Sequence, residues 1–218
     1  MFAEANKVYA NVAKGIRTPS RKQQFKKQPL TPKQVKALLK HLEATNKRDF
    51  ALVNLLIRTG IRTIEATRAN VEDITHKGGQ RVLLVHGKGR DEKDNFVILT
   101  DKAYQPIAEY LKTRNAQDGE PLFTSTSNNN QGGQLTTRSI RRIVKEALVN
   151  IGLDHKDYTA HSLRHTAGTN ILRAGGSIEM AQFTLRHTNP ATTQIYTSTI
   201  EEERRLKNSG EALLDKLF

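Results

Sequence analysis

The sequence predicts a mainly α-helical domain with one small antiparallel β-sheet. Apolar residues recur at helical spacing over most of the chain from Thr31 onward. Clear strand character occurs in one place, Arg81–His86 and Asn95–Leu99. Helix starts and stops are also marked, as at Thr31-Pro32 and Gly60.

Thr31-Pro32-Lys33-Gln34 reads as a helix entry, with Thr at the cap, Pro at the first helical position and Gln three residues after the cap. Val35, Leu38, Leu39 and Leu42 then share a face. A second helix is expected over Lys47–Thr59, burying Leu52, Leu55 and Leu56 and stopping at Gly60. A short third helix follows Thr63. The two strand segments form a hairpin around Gly87–Asp94. A helix from Asp101 to Arg114 carries Pro106 in its first turns, and Ser125–Gly133 reads as a loop. Further helices are expected over Thr136–Val149, Ser162–Arg173, Ser177 to about Leu185, and Pro190 to about Tyr196. The last segment, Glu201–Phe218, is amphipathic, with Leu206, Leu213, Leu214, Leu217 and Phe218.

Composition narrows the function. Of 218 residues, 35 are Lys or Arg and 22 are Asp or Glu, a formal charge of +13. Such a surplus favours a polyanionic partner, because neutralised phosphates release counterions. Residues 1–29 hold seven basic side chains and a single acid, Glu4, and read as an extended basic linker. The absence of Cys excludes disulfides and thiolate metal sites and suits a reducing compartment. No apolar stretch is long enough to span a bilayer, and no export signal is evident. These features together suggest a cytoplasmic protein.

Four segments each place polar residues where an element ends. Arg62 and Glu65 follow the Gly60 stop. Lys88 and Arg90 sit at the hairpin tip in Gly87-Lys88-Gly89-Arg90, with Lys93 on the same loop. His161 and Arg164 open a helix as His-x-x-Arg, and Arg186-His187 precedes Tyr196 by nine residues, counted from His187. His165, beside Arg164, reads as a packed histidine.

The ordered set Arg62, Lys88, His161-x-x-Arg164, His187, Tyr196 resembles the signature of the tyrosine recombinase, or phage integrase, family, which includes the Xer proteins and phage lambda integrase. The resemblance runs from about Thr31 to Ile200. It implies the tyrosine-recombinase catalytic-domain fold and site-specific breaking and rejoining of DNA through a 3′-phosphotyrosyl link, with no metal and no cofactor. Arg62 and Arg164 would hold one phosphate, and Tyr196 would attack it. His161 would help accept the phenol proton, Lys88 would protonate the leaving 5′-oxygen, and His187 would bond the phosphate. Glu65 would orient Arg62 or a His from behind. The physical reading agrees: without a metal, a phosphodiester transfer needs charge stabilisation from the protein, and guanidinium is planar, bidentate and permanently charged.

The resemblance further implies double-stranded DNA as partner, a monomer in solution that assembles as a homotetramer on synapsed sites, and a nucleoid-associated setting in a prokaryote or phage. It divides the chain into residues 1–29, a linker left from a missing N-terminal core-binding domain; 30–200, the catalytic domain; and 201–218, a helical tail. The tail could dock on a neighbouring subunit or on the chain's own core. Lys26, Lys27, Arg90, Arg138, Arg141, Arg142, Lys145 and Arg186 are the candidate DNA contacts. The family usually has Gly where this chain has Arg186, and an apolar residue where it has Thr184. Type IB topoisomerase chemistry and a non-catalytic helix-turn-helix protein remain the alternative readings. A metal nuclease is disfavoured because no clustered carboxylates accompany the histidines.

Overall fold

The computed structural model describes residues 27–86, 92–189, 191–207 and 209–217. Lys26, Lys88, Arg90 and Phe218 lie outside them, as does most of the basic segment 1–29.

The entry at Thr31 forms as its sequence dictates. Thr31 Oγ1 accepts the Gln34 N–H at 3.3 Å, and Gln34 Oε1 accepts the Thr31 N–H at 2.8 Å. This capping box satisfies two otherwise orphaned donors at the start of α1 (Pro32–Thr45). The side chain of Asn46 caps α2 (Lys47–Thr59), which ends at Gly60 in the left-handed region, φ 60°. A Cβ at Gly60 would also lie 2.3 Å from Leu185 Cδ2, so the position needs glycine for space as well as conformation. The short α3 (Thr63–Arg68) follows.

The sheet has three antiparallel strands in the order β1 (Ile74–Lys77), β2 (Gln80–Val85), β3 (Asn95–Ile98). The expected hairpin is β2–β3. The additional strand β1 is short and largely polar, so it lacks the alternation that marks a half-buried strand. Its signal was the turn: Lys77 pairs with Gln80, leaving Gly78 and Gly79 as a two-residue loop with φ of 57° and 76°. Positive φ at both central residues is what a type I′ hairpin requires.

Pro106 lies within α4 (Asp101–Thr113), deeper than its first turn. Proline has no N–H for the Lys102 carbonyl four residues back. The buried Asn54 side chain of α2 supplies the missing donor at 2.9 Å. The proline is thus accommodated by a neighbouring helix.

The rest of the chain is helical: α5 (Thr137–Asn150), α6 (Ala160–Arg173), α7 (Ile178–Leu185), α8 (Ala191–Lys207) and the short α9 (Glu211–Leu214). Two boundaries differ from expectation. α6 begins two residues early, after Thr159, and α8 runs through Tyr196 to Lys207. The expected division between residues 200 and 201 therefore falls inside a helix. Ile200 is buried, and Arg173 of α6 pairs with Glu203, which ties the far half of α8 down.

α6 is central. Ser162 through Thr169 are all buried, and its hydroxyls bond backward to carbonyls, as Thr166 does to Ser162 and Thr169 to His165. One core cluster gathers α1–α5, the sheet and Leu163; a smaller one gathers Ala167, Leu172, Ala181, Leu185, Tyr196 and Ile200. Leu30 is fully buried, and its N–H donates to Thr166 Oγ1 at 2.8 Å. In the tail, Leu206, Leu213, Leu214 and Leu217 are exposed and do not pack on the chain's own core. No described helix is long and apolar enough to cross a membrane.

Candidate active site

Among the described residues, Arg62, His161, Arg164, His187 and Tyr196 gather where the two clusters adjoin. Arg62 occupies the N-cap position of α3, just past the left-handed Gly60. Its backbone N–H donates to Glu65 Oε2 at 2.8 Å and its Nη1 to Glu65 Oε1 at 2.7 Å. Arg164 reaches from α6 and donates Nη1 to the Gly60 carbonyl and Nη2 to the Leu185 carbonyl. Arg62 Nη2 donates to the next carbonyl, Arg186 O, at 3.3 Å. Two arginines about a hundred residues apart in sequence thus hang from successive carbonyls at the end of α7.

Both arginines line one open cleft of about 540 Å³, together with Thr137, Arg141, Thr159 and His161. Burial, then the charges of Arg62 and Arg186, push the Arg164 guanidinium down to about 9, which leaves it charged at neutral pH. Burial raises the Glu65 carboxyl, but Arg186, the Arg62 N–H and the Arg62 side chain outweigh it and hold the group below the usual carboxylate range. His161 is exposed at the cleft; partial burial of its ring and the charges of Arg164 and Lys27 hold it below the ordinary imidazole value. It is therefore neutral at pH 7 and able to accept a proton.

His187 follows the α7 turn, and its Nδ1 lies 3.0 Å from Thr193 Oγ1, a fully buried hydroxyl in the first turn of α8. This contact fixes the ring. Burial and the surrounding arginines push its pKa down to about 4. Tyr196 is on α8, 3% exposed, stacked at 6.2 Å on His187 and edge-on at 4.8 Å to His165. Its ring sits against Gly168: a Cβ there would come within 2.8 Å of Tyr196 Cε2 and of Leu185 Cδ1. Burial raises the phenol pKa, against a lowering by Arg164. Tyr196 does not line the cleft. His165 is 1% exposed, a packed histidine as the sequence suggests.

The candidate DNA contacts separate. Arg141 lines the cleft, and Arg138 and Arg142 are exposed on α5. Lys145 instead pairs with Asp154 at 2.8 Å. Lys27 donates to the Lys156 carbonyl. Arg186 turns inward in this structure: its side chain is 10% exposed and pairs with Glu65 at 2.7 Å. The left-handed turn implied by the family's usual glycine is nevertheless present, with φ 53°. Lys93, the other lysine of the β2–β3 loop, pairs with the buried Asp73 at 2.5 Å. Lys88, Lys26 and Arg90 lie outside the described residues. Sequence reasoning missed Gly168 and Thr193. A glycine inside a helix is a sign of close packing; Thr193 sits in a polar run with nothing to single it out.

Residues 28–203 match the sequence profile of the phage integrase family. The chain is 36% identical over 163 residues to tyrosine recombinase XerC of Leptospira interrogans, covering 74% of this chain and 50% of the relative. It is 34% identical over 190 residues to XerC of Chlamydia trachomatis, covering 86% and 58%. The chain thus spans about half the length of the curated relatives it matches. Among solved structures, XerA recombinase is similar at 28% identity and TM-score 0.67, over 83% of this chain and 65% of that one. XerH in a post-cleavage complex with a palindromic difH substrate shares the fold at TM-score 0.73 and 22% identity, over 89% and 56%. The geometry of the cleft and the match over most of the chain agree, and the chain belongs to the phage integrase family.

Proposed function

We propose that the chain is the catalytic domain of a site-specific DNA recombinase that breaks and rejoins double-stranded DNA through Tyr196, for a phage or other mobile element. The observation that carries this reading is the pairing of Arg62 and Arg164 on successive carbonyls above one cleft. Two guanidinia so placed can hold both non-bridging oxygens of a phosphodiester and stabilise the charge that builds at phosphorus. Tyr196 Oη attacks phosphorus; the P–Oη bond forms and the P–O5′ bond breaks. The phenol proton passes to neutral His161. The 5′-oxygen takes a proton from Lys88 as general acid; the pairing of Lys93 with Asp73 supports Lys88 over Lys93 for that role. His187, fixed by Thr193, hydrogen-bonds a phosphate oxygen. The new ester retains the bond energy, so rejoining to another 5′-hydroxyl needs no nucleotide cofactor.

Tyr196 is buried, so α8 must shift before attack. XerH and lambda integrase have been solved on DNA, which supports a duplex as partner. Arg141 at the cleft and Arg138 and Arg142 beside it would follow the phosphate backbone, with Lys26, Lys27 and Arg90 as further phosphate contacts. The exposed Leu213, Leu214 and Leu217 give the tail an apolar face for docking on a neighbour in a tetramer formed on DNA from monomers. Residues 1–29 would join the domain to an N-terminal DNA clamp, and the protein would act in the cytoplasm.

The test uses a pool of nicked suicide duplexes with a randomised arm, incubated in EDTA. An SDS-resistant protein–DNA adduct is expected, and Y196F should abolish it while duplex binding persists. Absence of any adduct, or an adduct retained in Y196F, would overturn the reading.

A further inference from the structure

Among the described residues, two that are not glycine have positive φ, Asn115 and Arg186. Asparagine tolerates the left-handed region; arginine adopts it only under restraint. The restraint on Arg186 is visible. Its Nη2 donates to Glu65 Oε2 at 2.7 Å and its Nη1 to the Thr184 carbonyl at 3.0 Å. Glu65, 3% exposed, also receives the Arg62 N–H and Arg62 Nη1. Arg62 Nη2 returns to the Arg186 carbonyl, which closes a ring of three residues. The carbonyl just before it, Leu185 O, takes Arg164.

We propose that Arg186 is a positioning residue: its ion pair with Glu65 pins the left-handed turn that ends α7, and the turn aims Arg62 and Arg164. If the side chain lets go, the peptide planes on both sides of residue 186 can rotate, and with them the two carbonyls that hold the arginines. The pair has a second effect. Glu65 divides its charge between Arg62 and Arg186, so Arg62 keeps more of its pull for a phosphate. Arg186 itself contacts no substrate. The proposal rests on the recombinase reading for its catalytic consequence, but the geometric part does not.

The experiment compares R186M, R186K and R186G with the wild type on the duplex recovered from the adduct pool. Circular dichroism and cooperative unfolding confirm that each variant folds. R186M should form the adduct about a hundredfold more slowly, the penalty of a small misplacement, with duplex Kd changed by less than about threefold. R186K, which keeps a charge for Glu65, should recover most of the rate. R186G puts at the turn the residue the family usually has, which takes the left-handed conformation without a pin, and should keep most of the wild-type rate. A wild-type rate in R186M, or an R186G as slow as R186M, would overturn the proposal. So would a Kd that weakens in step with the rate, which would make Arg186 a DNA contact. If the wild type forms no adduct, the recombinase reading fails, and a crystal structure of R186M decides the positioning role alone. Displacement of Arg62 or Arg164 from the two carbonyls supports it; unchanged bonds overturn it.

Discussion

His165 shows how a buried side chain of the site sets the stability of the fold. It is 1% exposed against the Tyr196 ring, and burial, then the charges of His161 and Arg173, push its pKa down to about 4. The unfolded chain binds the proton near pH 6.5. Stability from this group is therefore complete above that pH and is lost as the pH falls from 6.5 toward 4. His187 is shifted the same way and adds to the loss. Urea unfolding at pH 5 should give a free energy lower than at pH 7 by about 2 kcal/mol from His165. Equal values at the two pH values would contradict the neutral, packed assignment. At this scale the sequence was informative about identity and less so about orientation. The order of Arg62, His161, Arg164, His187 and Tyr196 could be read directly, because it matches the family's signature; the burial of Tyr196 within α8 could not. Nor could the direction of Arg186. A charge beside a candidate site suggests contact with DNA, and only the ion pair shows that the side chain turns inward to Glu65.

Among the elements, α2 and α4 are joined by an exchange of roles. Pro106 leaves the Lys102 carbonyl without its helical donor, and Asn54 supplies one. N54A should cost about 1–3 kcal/mol, the penalty of a buried carbonyl left unsatisfied. P106A alone restores an N–H to the same carbonyl, so N54A should cost much less in that background. Urea titration of the four proteins measures the coupling; strictly additive effects would mean that the Asn54 bond has no such role. Most helices were legible because cap and apolar spacing agree, as at Thr31 and over Lys47–Thr59. β1 and the continuity of α8 from Ala191 to Lys207 were not. Neither carries a strong periodic signal: β1 is set by a Gly-Gly turn and by pairing to β2, and α8 is extended by Ile200 and by the Arg173–Glu203 pair. Those are tertiary causes.

At the scale of the whole molecule, charge is the property that composition states most directly. With roughly five phosphates neutralised, duplex affinity should fall about 500-fold between 50 and 200 mM salt. Fluorescence anisotropy across that range checks it, and a flat response would exclude phosphate contacts as the main source of binding. The basic total is plain from the sequence, whereas its convergence is not: Arg62 and Arg164 meet only because α6 threads between the two clusters. The same helix has a mechanical position. Leu30 gives its N–H to Thr166 and its carbonyl to Arg173, and Arg173 also grips Glu203 on α8. Tension applied to the polypeptide upstream of Leu30 is therefore delivered to the rod that carries Arg164, and through one guanidinium to the lever that carries Tyr196. A partner that tugs on the segment before Leu30 has a direct line to the chemistry without touching the cleft.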